Sequence, residues 1–337
     1  MLALSVLDQS PTIAGGEQAA AIRETIDMAR HCEALGYSRF WVSEHHGSQT
    51  IVGSAPEILI AAIAARTNRI RVGSAGVMLP HYSPLKVAEQ FRVLEAIAPG
   101  RIDLGVGRAP GGDGRMAWAL NPSGDQAVER FPANVRDIVA WTSDRPLAEG
   151  HPLAALKVTP QTPHAPEVFV LGSSDYGPQV AAYLGLPFCF AAFTNEPGAE
   201  QAFDIYRQHY QPSERHPKPH AMVCVFALAA DTQEAARRIF STRARSRLNR
   251  DRGIRAPLLP PDEALAGASA AELARADQLA ASAFVGDGPA CAMKLRDYGA
   301  KLGVQELAIL THAYHVADRK RSFEILAGEF GLARTGD

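Results

Sequence analysis

The amino-acid sequence predicts an α/β protein with a (β/α)8 (TIM) barrel fold, and two observations support this prediction. Short apolar or β-branched runs alternate with longer helical patterns along the 337 residues, and eight strand–helix pairs can be counted. The short runs are apolar on both faces, which is typical of strands in a parallel sheet that helices cover. Eight such units favour a closed barrel over an open, doubly wound sheet.

The element boundaries follow from local signals, because proline in a first turn and glycine after a last residue mark the ends of helices. The predicted strands are Leu2–Leu7, Arg39–Ser43, Ile70–Val77, Arg101–Val106, Glu167–Leu171, Pro187–Ala192, Ala221–Ala229 and Glu306–Leu310. The predicted helices are Glu17–Leu35, Pro56–Arg66, Pro84–Ala98, Gly124–Trp141, Tyr176–Leu184, Gly198–Tyr210, Thr232–Asn249, Pro289–Leu302 and Ala317–Phe330.

Two segments are too long for simple connections, and both are predicted to be insertions in the barrel. They lie near residues 142–164 and 250–283. Long loops in such barrels usually form lids or cover the active site. The second segment is rich in proline and alanine, which indicates a mobile lid followed by a short helix. No linker marks a second domain, so one domain over residues 1–337 is expected.

The composition narrows the class of protein. The net charge of −2, from 34 Lys+Arg and 36 Asp+Glu, gives no electrostatic basis for binding nucleic acid or an anionic membrane. The 4 cysteines are far apart, which argues against a disulfide framework or a zinc ribbon and fits a cytoplasmic location. The start of the chain lacks the pattern of a signal peptide, and no run approaches the roughly 20 apolar residues that span a bilayer.

One local charge cluster stands out against this balance. It is a basic run formed by Arg243, Arg245, Arg247, Arg250 and Arg252. We interpret it as the solvated face of a helix end, with a phosphate or partner site as the alternative.

Functional side chains of a (β/α)8 barrel lie at the C-terminal ends of its strands. That rule selects the candidate site residues Asp8, Glu44, His45, Ala75, Gly76, Gly107, Arg108, Gly172, Ser173 and Ser174. The small residues that end the third strand permit close contact with a ring system. Packing inside the barrel is the structural alternative for them.

The stretch "GVGRAPGG" follows the fourth strand and begins like a dinucleotide fingerprint. Its third glycine position is Pro110, and no clear helix starts there, so the fingerprint is weak. What remains is a glycine-lined backbone that a flat ligand can approach, beside one arginine. Arg108 could clamp a phosphate or carboxylate, or it could pair with a buried acid such as Glu44.

The stretch "VLGSSDYGP" carries a strand into hydroxyl residues and a helix start. Backbone N–H groups, the hydroxyls of Ser173 and Ser174 and the helix dipole would favour an anion there. Plain N-capping by Ser174 or Asp175 is the alternative. Because this turn and Arg108 follow neighbouring strands, they could hold one phosphate together.

The stretch Glu44-His45-His46 ends the second strand and raises the question of a metal site. Adjacent residues of a strand point to opposite sides, and no well-spaced third ligand appears, so no metal is predicted. A histidine in this position is either structural or a catalytic or ligand-contacting group.

Four stretches together resemble the bacterial-luciferase-like flavin-dependent monooxygenases, and the likeness covers nearly the whole chain. They are "GYSRFWVSEHH", "RIRVGSAGVMLPHYSPLKVAEQFRVLEAIAPGRIDLGVGRAPG", "VFVLGSSDYGPQVAAYLGLPFCF" and "FVGDGPACAMKL". The resemblance implies reduced FMN at the C-terminal mouth, with its phosphate on Arg108 and the Ser173-Ser174 turn. It implies a flavin ring against a cis peptide bond between Ala75 and Gly76. It also makes His45 the catalytic histidine.

The resemblance further implies the reaction and its partners. A separate NAD(P)H:flavin reductase would supply reduced FMN, and oxygen would add to it as a flavin hydroperoxide that oxygenates a small organic substrate. The family is usually dimeric, so a homodimer is expected. Two alternatives share the fold, a deazaflavin-dependent hydride-transfer oxidoreductase and a non-catalytic flavin-binding protein.

This sequence departs from the luciferase α-subunit at two positions beside the flavin. Gly107 stands where that subunit has a cysteine, which puts light emission in doubt. Ser173 stands where it has a glutamate, and phosphate binding remains plausible with serine.

Overall fold

The computed structural model describes residues 2–109 and 114–333, which contain nine strands and thirteen α-helices. The strands are β1 (Ala3–Asp8), β2 (Arg39–Val42), β3 (Arg71–Met78), β4 (Ile102–Gly107), β5 (Glu167–Gly172), β6 (Phe188–Ala191), β7 (Ala221–Ala230), β8 (Phe284–Asp287) and β9 (Glu306–Leu310). The fold is the predicted (β/α)8 barrel.

At least one α-helix follows each strand. They are α1 (Gln18–Ala34), α2 (Pro56–Ala64), α3 (Pro84–Ile97), α4 (Gly114–Leu120), α5 (Gly124–Glu129), α6 (Phe131–Thr142), α7 (Tyr176–Leu184), α8 (Ala199–His209), α9 (Gln233–Asp251), α10 (Pro261–Ala264), α11 (Ala270–Ser282), α12 (Gly288–Leu302) and α13 (Val316–Phe330). Among the described residues, no helix combines the length and the apolar character that crossing a membrane requires.

The chain divides into two compact units by its internal contacts. Unit 1 comprises the described residues of 1–38, 48–52 and 224–337, and unit 2 those of 39–47 and 53–223. In unit 1, β1 runs parallel to β9 and β7 runs parallel to β8. In unit 2, the strands β2 to β6 follow one another in a parallel sheet.

The register of the unit 2 sheet brings its strand ends to one edge. Val42 at the end of β2 is level with Ser74 of β3, and Met78 at the end of β3 is level with Gly107 of β4. Gly107 is in turn level with Leu171 near the end of β5. The loops that follow β2, β3, β4 and β5 therefore leave the sheet side by side.

A buried carboxylate fastens three strands of unit 2 lower in the sheet. The side chain of Asp103 on β4 has no exposed surface, and it accepts hydrogen bonds from Arg39 (2.9 Å) and from Arg71 (2.9 and 2.6 Å). The indole N–H of Trp41 donates to the same carboxylate at 2.9 Å. Two guanidinium groups and an indole satisfy the buried charge, which would otherwise cost several kcal/mol.

Glycine allows β3 and β4 to approach closely. A Cβ on Gly73 would lie 2.5 Å from the carbonyl oxygen of Asp103, and one on Gly105 would overlap the carbonyl oxygen of Ser74. A Cβ on Gly76 would lie 2.7 Å from the carbonyl oxygen of Gly105. The seam between the two strands therefore has no room for side chains at these positions.

The structure corrects several predicted elements. The predicted helix Gly124–Trp141 is two helices, α5 and α6, with Arg130 between them. The short strand β8 and the helix α4 were not predicted. The predicted insertion at 250–283 contains both α10 and α11 rather than one short helix. The segment from 143 to 166 contains no helix or strand, as expected for an insertion.

Replacing Gly73 by alanine should destabilise the protein, because the new methyl group would press on the backbone of β4. We expect a cost of about 1–3 kcal/mol. Thermal unfolding followed by circular dichroism should show a Tm lowered by roughly 3–8 °C. Gly124→Ala is the matched control, since a Cβ there would meet nothing within 4 Å. Equal Tm values for the two variants would contradict the close-packing argument.

Candidate active site

The carboxylate of Glu44, two residues after β2, is a buried and hydrogen-bonded acid at the strand ends of unit 2. Its side chain is fully buried and accepts three hydrogen bonds. The backbone N–H of Met78 donates at 3.0 Å, the phenol of Tyr82 at 2.7 Å and Nε2 of His46 at 2.7 Å. The carboxylate thereby joins the end of β2 to the end of β3.

The rings around Glu44 form a small aromatic cluster. His46 lies edge-on to His81 with their centroids 6.1 Å apart, and His81 lies edge-on to Tyr82 at 6.3 Å. Burial, followed by the hydrogen bond to Glu44, raises the pKa of Tyr82 well above its ordinary value. The phenol therefore stays protonated and donates to the carboxylate over the physiological pH range.

His45 lies between Glu44 and His46 in the sequence but has different partners. Its Nδ1 is 3.0 Å from the hydroxyl of Ser43, and its backbone N–H donates to the carbonyl of Gly53 at 2.8 Å. The ring is half-buried. The hydrogen bond between the Ser43 hydroxyl and Nδ1 holds the imidazole in a defined orientation.

The end of β3 carries the backbone feature that the family resemblance implies. The peptide bond between Ala75 and Gly76 is cis, and the register with β4 shifts between Ser74 and Val77. Among the described residues, a Cβ on Gly107 of β4 would find nothing closer than the carbonyl oxygen of Val77 at 4.0 Å, so these residues leave space beside this glycine. The predicted ring-contacting positions are therefore close in the sheet and sterically open at Gly107.

Arg108 follows β4 and lies over an aromatic ring. Its guanidinium carbon is 3.9 Å from the centroid of Tyr176, the first residue of α7. The expected alternative, a salt bridge to Glu44, is wrong, because other donors surround that carboxylate. Within residues 2–109 and 114–333, Arg108 has no carboxylate partner, and its side chain is exposed.

The turn between β5 and α7 presents Ser173 and Ser174 to solvent. Neither Ser174 nor Asp175 caps α7 through its side chain, so the capping alternative is wrong. The carboxylate of Asp175 instead accepts from Gln201 at 2.9 Å, and the carbonyl of Ser173 accepts from Asn195 at 2.9 Å. The side chains of Ser174 and Asp175 therefore do not bind the first-turn N–H groups of α7, and these N–H groups can donate to an external acceptor.

Asp8 is the predicted site residue that belongs to unit 1. It is 1% exposed and accepts hydrogen bonds from the backbone N–H of Ser10 (2.7 Å) and from Thr25 (2.9 Å). It also forms a buried ion pair with Arg319. Its carboxylate therefore fixes the end of β1 to α1 and α13.

The remaining predicted residues gather at the strand ends of unit 2. They are Glu44, His45, Ala75, Gly76, Gly107, Arg108, Gly172, Ser173 and Ser174. The prediction did not single out Tyr82 and Tyr176, although both lie within stretches that carry the family resemblance. Among the described residues, no three His, Cys, Asp or Glu side chains are grouped so that they could hold a metal ion.

Comparison with known proteins identifies the class to which this site belongs. Residues 2–306 match the family model of the luciferase-like monooxygenases. The protein YwcH of Bacillus subtilis is 40% identical over 98% of this chain and 99% of its own length. The N-acetyl-S-alkylcysteine monooxygenase of the same organism is 43% identical over 72% of each chain.

Solved structures share the fold. The crystal structure of apo-MsnO8 is 34% identical, covers 99% of this chain and 100% of its own, and superposes with a TM-score of 0.90. A type II Baeyer-Villiger monooxygenase from Pseudomonas putida in complex with FMN has a TM-score of 0.71 at 18% identity. An F420-dependent secondary alcohol dehydrogenase has a TM-score of 0.68 at 13% identity.

The fold and the family match define an oxidoreductase. More narrowly, the chain belongs to the luciferase-like monooxygenase family.

Removing the Tyr82 hydroxyl should weaken the Glu44 cluster, because a buried carboxylate would lose one of its three donors. Tyr82→Phe should lower the free energy of unfolding by about 1.5–3 kcal/mol. Urea denaturation would measure the difference. The m-value, which is the slope of the free energy of unfolding against urea concentration, should be the same for both proteins. Tyr183→Phe is the control, because Tyr183 on α7 is 64% exposed. A Tyr82→Phe protein as stable as this control would show that the hydrogen bond contributes nothing.

Proposed function

We propose that the chain is a single-domain FMN-dependent monooxygenase, which uses reduced flavin and O2 to oxygenate a small organic substrate. The observation that carries the proposal is the arrangement after β4 and β5. The exposed guanidinium of Arg108 lies over the ring of Tyr176, the first residue of α7. Within the described residues, no carboxylate pairs with Arg108 and no side chain caps the N-terminus of α7. That arrangement fits a phosphate group.

The phosphate fit rests on three kinds of donor. The guanidinium of Arg108 can bind a phosphate with two parallel hydrogen bonds. The hydroxyls of Ser173 and Ser174 and the first-turn amides of α7 add further donors, and the helix dipole favours the negative charge. A Cβ on Gly172 would make only ordinary contact with Gly177 at 3.5 Å, so packing does not require glycine at this position of the turn.

The fit to a flat ring rests on the neighbouring strand ends. Ala75 and Gly76 are partly exposed at the cis peptide bond, and Gly107 leaves open space one strand away. A ring can approach a backbone that lacks side chains more closely than any other surface. Glu44 supports this surface indirectly, because its bond to the N–H of Met78 holds the end of β3.

When bound, reduced FMN supplies the two electrons with which O2 is activated, so that one oxygen atom enters the substrate and the other leaves as water. We assign His45 to the proton transfers that this balance requires. A histidine gives and takes protons near neutral pH, and Ser43 orients this one. Asp8 contributes by fixing the end of β1 rather than as a free ligand.

The proposal also covers the source of the reduced flavin and the oligomeric state of the protein. The sequence has no intact dinucleotide fingerprint, since Pro110 stands at the third glycine position, so we propose that a separate NAD(P)H:flavin reductase delivers reduced FMN. We propose a cytoplasmic homodimer, as the family resemblance implies. The named activity of the Bacillus subtilis relative makes N-acetyl-S-alkylcysteines the first substrates to test.

A deazaflavin is the second candidate cofactor, because a fold neighbour uses F420 for alcohol oxidation. That neighbour is only 13% identical, whereas the monooxygenase relative is 43% identical over most of the chain. These similarities favour FMN and oxygen chemistry.

Arg108→Gln should weaken the binding of FMN while leaving that of riboflavin unchanged, because only FMN carries the phosphate. We expect at least a tenfold loss, about 1.4 kcal/mol, for reduced FMN and a change within about twofold for riboflavin. Anaerobic fluorescence titration of both flavins and of reduced F420 would measure this. Arg130→Gln, an exposed arginine of the same unit, is the control.

An equal loss for FMN and riboflavin would contradict the phosphate assignment. Tighter binding of reduced F420 than of reduced FMN would replace the main proposal by the deazaflavin alternative.

His45→Ala should abolish oxygen transfer without loss of flavin. We expect product formation to fall by about 10²–10⁴-fold, with the Kd for reduced FMN unchanged within about threefold. Mass spectrometry of 18O incorporation from 18O2 into a panel of thioethers would measure the first, and fluorescence titration the second. His164→Ala, at an exposed histidine, is the control. Full turnover by His45→Ala would end its catalytic assignment.

A further inference from the structure

The arginines from Arg238 to Arg252, on α9 and just after it, divide into two groups according to their partners. Arg245 within the helix and Arg252 just after its end lie 3.5 and 3.0 Å from the carboxylate of Glu272. Arg238 lies 2.6 Å from the carboxylate of Asp262. Those three charges are compensated within unit 1.

The other group consists of Arg243, Arg247 and Arg250, which we call the α9 arginine face. Their spacing of four and three residues places them on one side of the helix. In the part of the chain that the structure describes, no carboxylate pairs with any of the three within 4.0 Å. One side of α9 therefore carries three positive charges without an acidic partner at salt-bridge distance.

The innermost of these charges is buried. Arg243 is 5% exposed, its Nη1 is 3.0 Å from Nδ1 of His312, and its guanidinium carbon lies 4.9 Å from the ring centroid of Phe226. Burial and the neighbouring Arg250 and Arg247 lower its pKa to about 9. The sequence-based interpretation of a solvated helix face is therefore wrong for Arg243.

A buried guanidinium without a carboxylate is an expensive arrangement. Removing a charge from water costs several kcal/mol unless an opposite charge and hydrogen bonds compensate it. A histidine nitrogen accepts one hydrogen bond and the face of Phe226 adds a weak attraction, but neither carries a negative charge. An anion at this position would supply the missing charge.

The surroundings limit the size of such an anion. The segment after α9 folds back over the helix, where Thr242 donates to the carbonyl of Leu259 at 2.8 Å and Ser241 to that of Pro261 at 2.9 Å. Arg243 is buried, Arg247 is half-buried and Arg250 is exposed, so accessibility decreases inward along the face. A nucleic acid or a protein surface cannot reach a 5% exposed guanidinium, whereas a small oxyanion can.

We propose that the α9 arginine face binds the oxyanion group of a small organic acid, with Arg243 as the innermost contact and Arg247 and Arg250 along the entry. The hydrogen bond to His312 uses only Nη1 of Arg243. The other N–H groups of the guanidinium can bind a planar carboxylate or a phosphate. The residues of the α9 arginine face, with His312 and Phe226, belong to unit 1, whereas the residues assigned to the flavin phosphate, Arg108, Ser173 and Ser174, belong to unit 2.

Anion titration of the purified protein tests this proposal. The test uses the Arg108→Gln background, which removes the proposed phosphate contact of unit 2. Isothermal titration with acetate and with inorganic phosphate, at constant ionic strength in sodium chloride, should show saturable binding of at least one anion. Adding Arg243→Gln should weaken that binding at least tenfold. Adding Arg252→Gln, which removes the same charge from an arginine paired with Glu272, should change it less than twofold.

Every outcome decides the proposal. Stronger binding of acetate identifies a carboxylate site, and stronger binding of phosphate identifies a phosphate site. No saturable binding of either anion up to 100 mM, or equal binding by the Arg243→Gln and Arg252→Gln proteins, overturns it. If Arg243→Gln does not fold, Arg247→Gln replaces it with the same expected loss. The titration needs no flavin, so its result stands whether or not the protein proves to use FMN.

Discussion

The candidate site of unit 2 depends on one buried carboxylate, that of Glu44. It has no exposed surface, and its three donors come from the backbone of Met78 and from two rings, those of His46 and Tyr82. A charge in this position is tolerable only when such donors surround it. Its bond to Met78 holds the end of β3, two residues after the cis peptide bond between Ala75 and Gly76, and His45 is the next residue of the chain after Glu44.

The sequence was sufficient for those features that periodicity and turn residues determine. Eight strands and the limits of helices such as α7 follow from apolar runs and from proline or glycine at their ends, and the structure has them. The strand β8 was missed because four residues of mixed polarity give no periodic signal. The break at Arg130 did have a signal in Pro132, which opens α6, but the continuous helical pattern on both sides obscured it.

Side-chain partners were harder to predict, because a strand or helix pattern gives the direction of a side chain and not the group that it meets. The sequence placed Glu44 and Arg108 near each other at the strand ends. In the structure, Tyr82 and His46 donate hydrogen bonds to the Glu44 carboxylate, and the Arg108 guanidinium stacks on Tyr176. Likewise, the basic run on α9 looked solvated until its packing against Phe226 showed that Arg243 is buried. Tyr82, Tyr176 and Phe226 are all distant in the sequence from the charged groups that they contact, so local patterns give no sign of these contacts.

The stacking of Arg108 on Tyr176 has a further consequence for ligand exchange. A free arginine side chain loses about 1.5–2 kcal/mol of rotamer entropy when it is ordered. Here the aromatic ring already restrains the guanidinium within 3.9 Å, at the start of α7. Much of the ordering thus accompanies folding. At the proposed phosphate site, this restraint would lower the entropy cost of capturing a phosphate on Arg108.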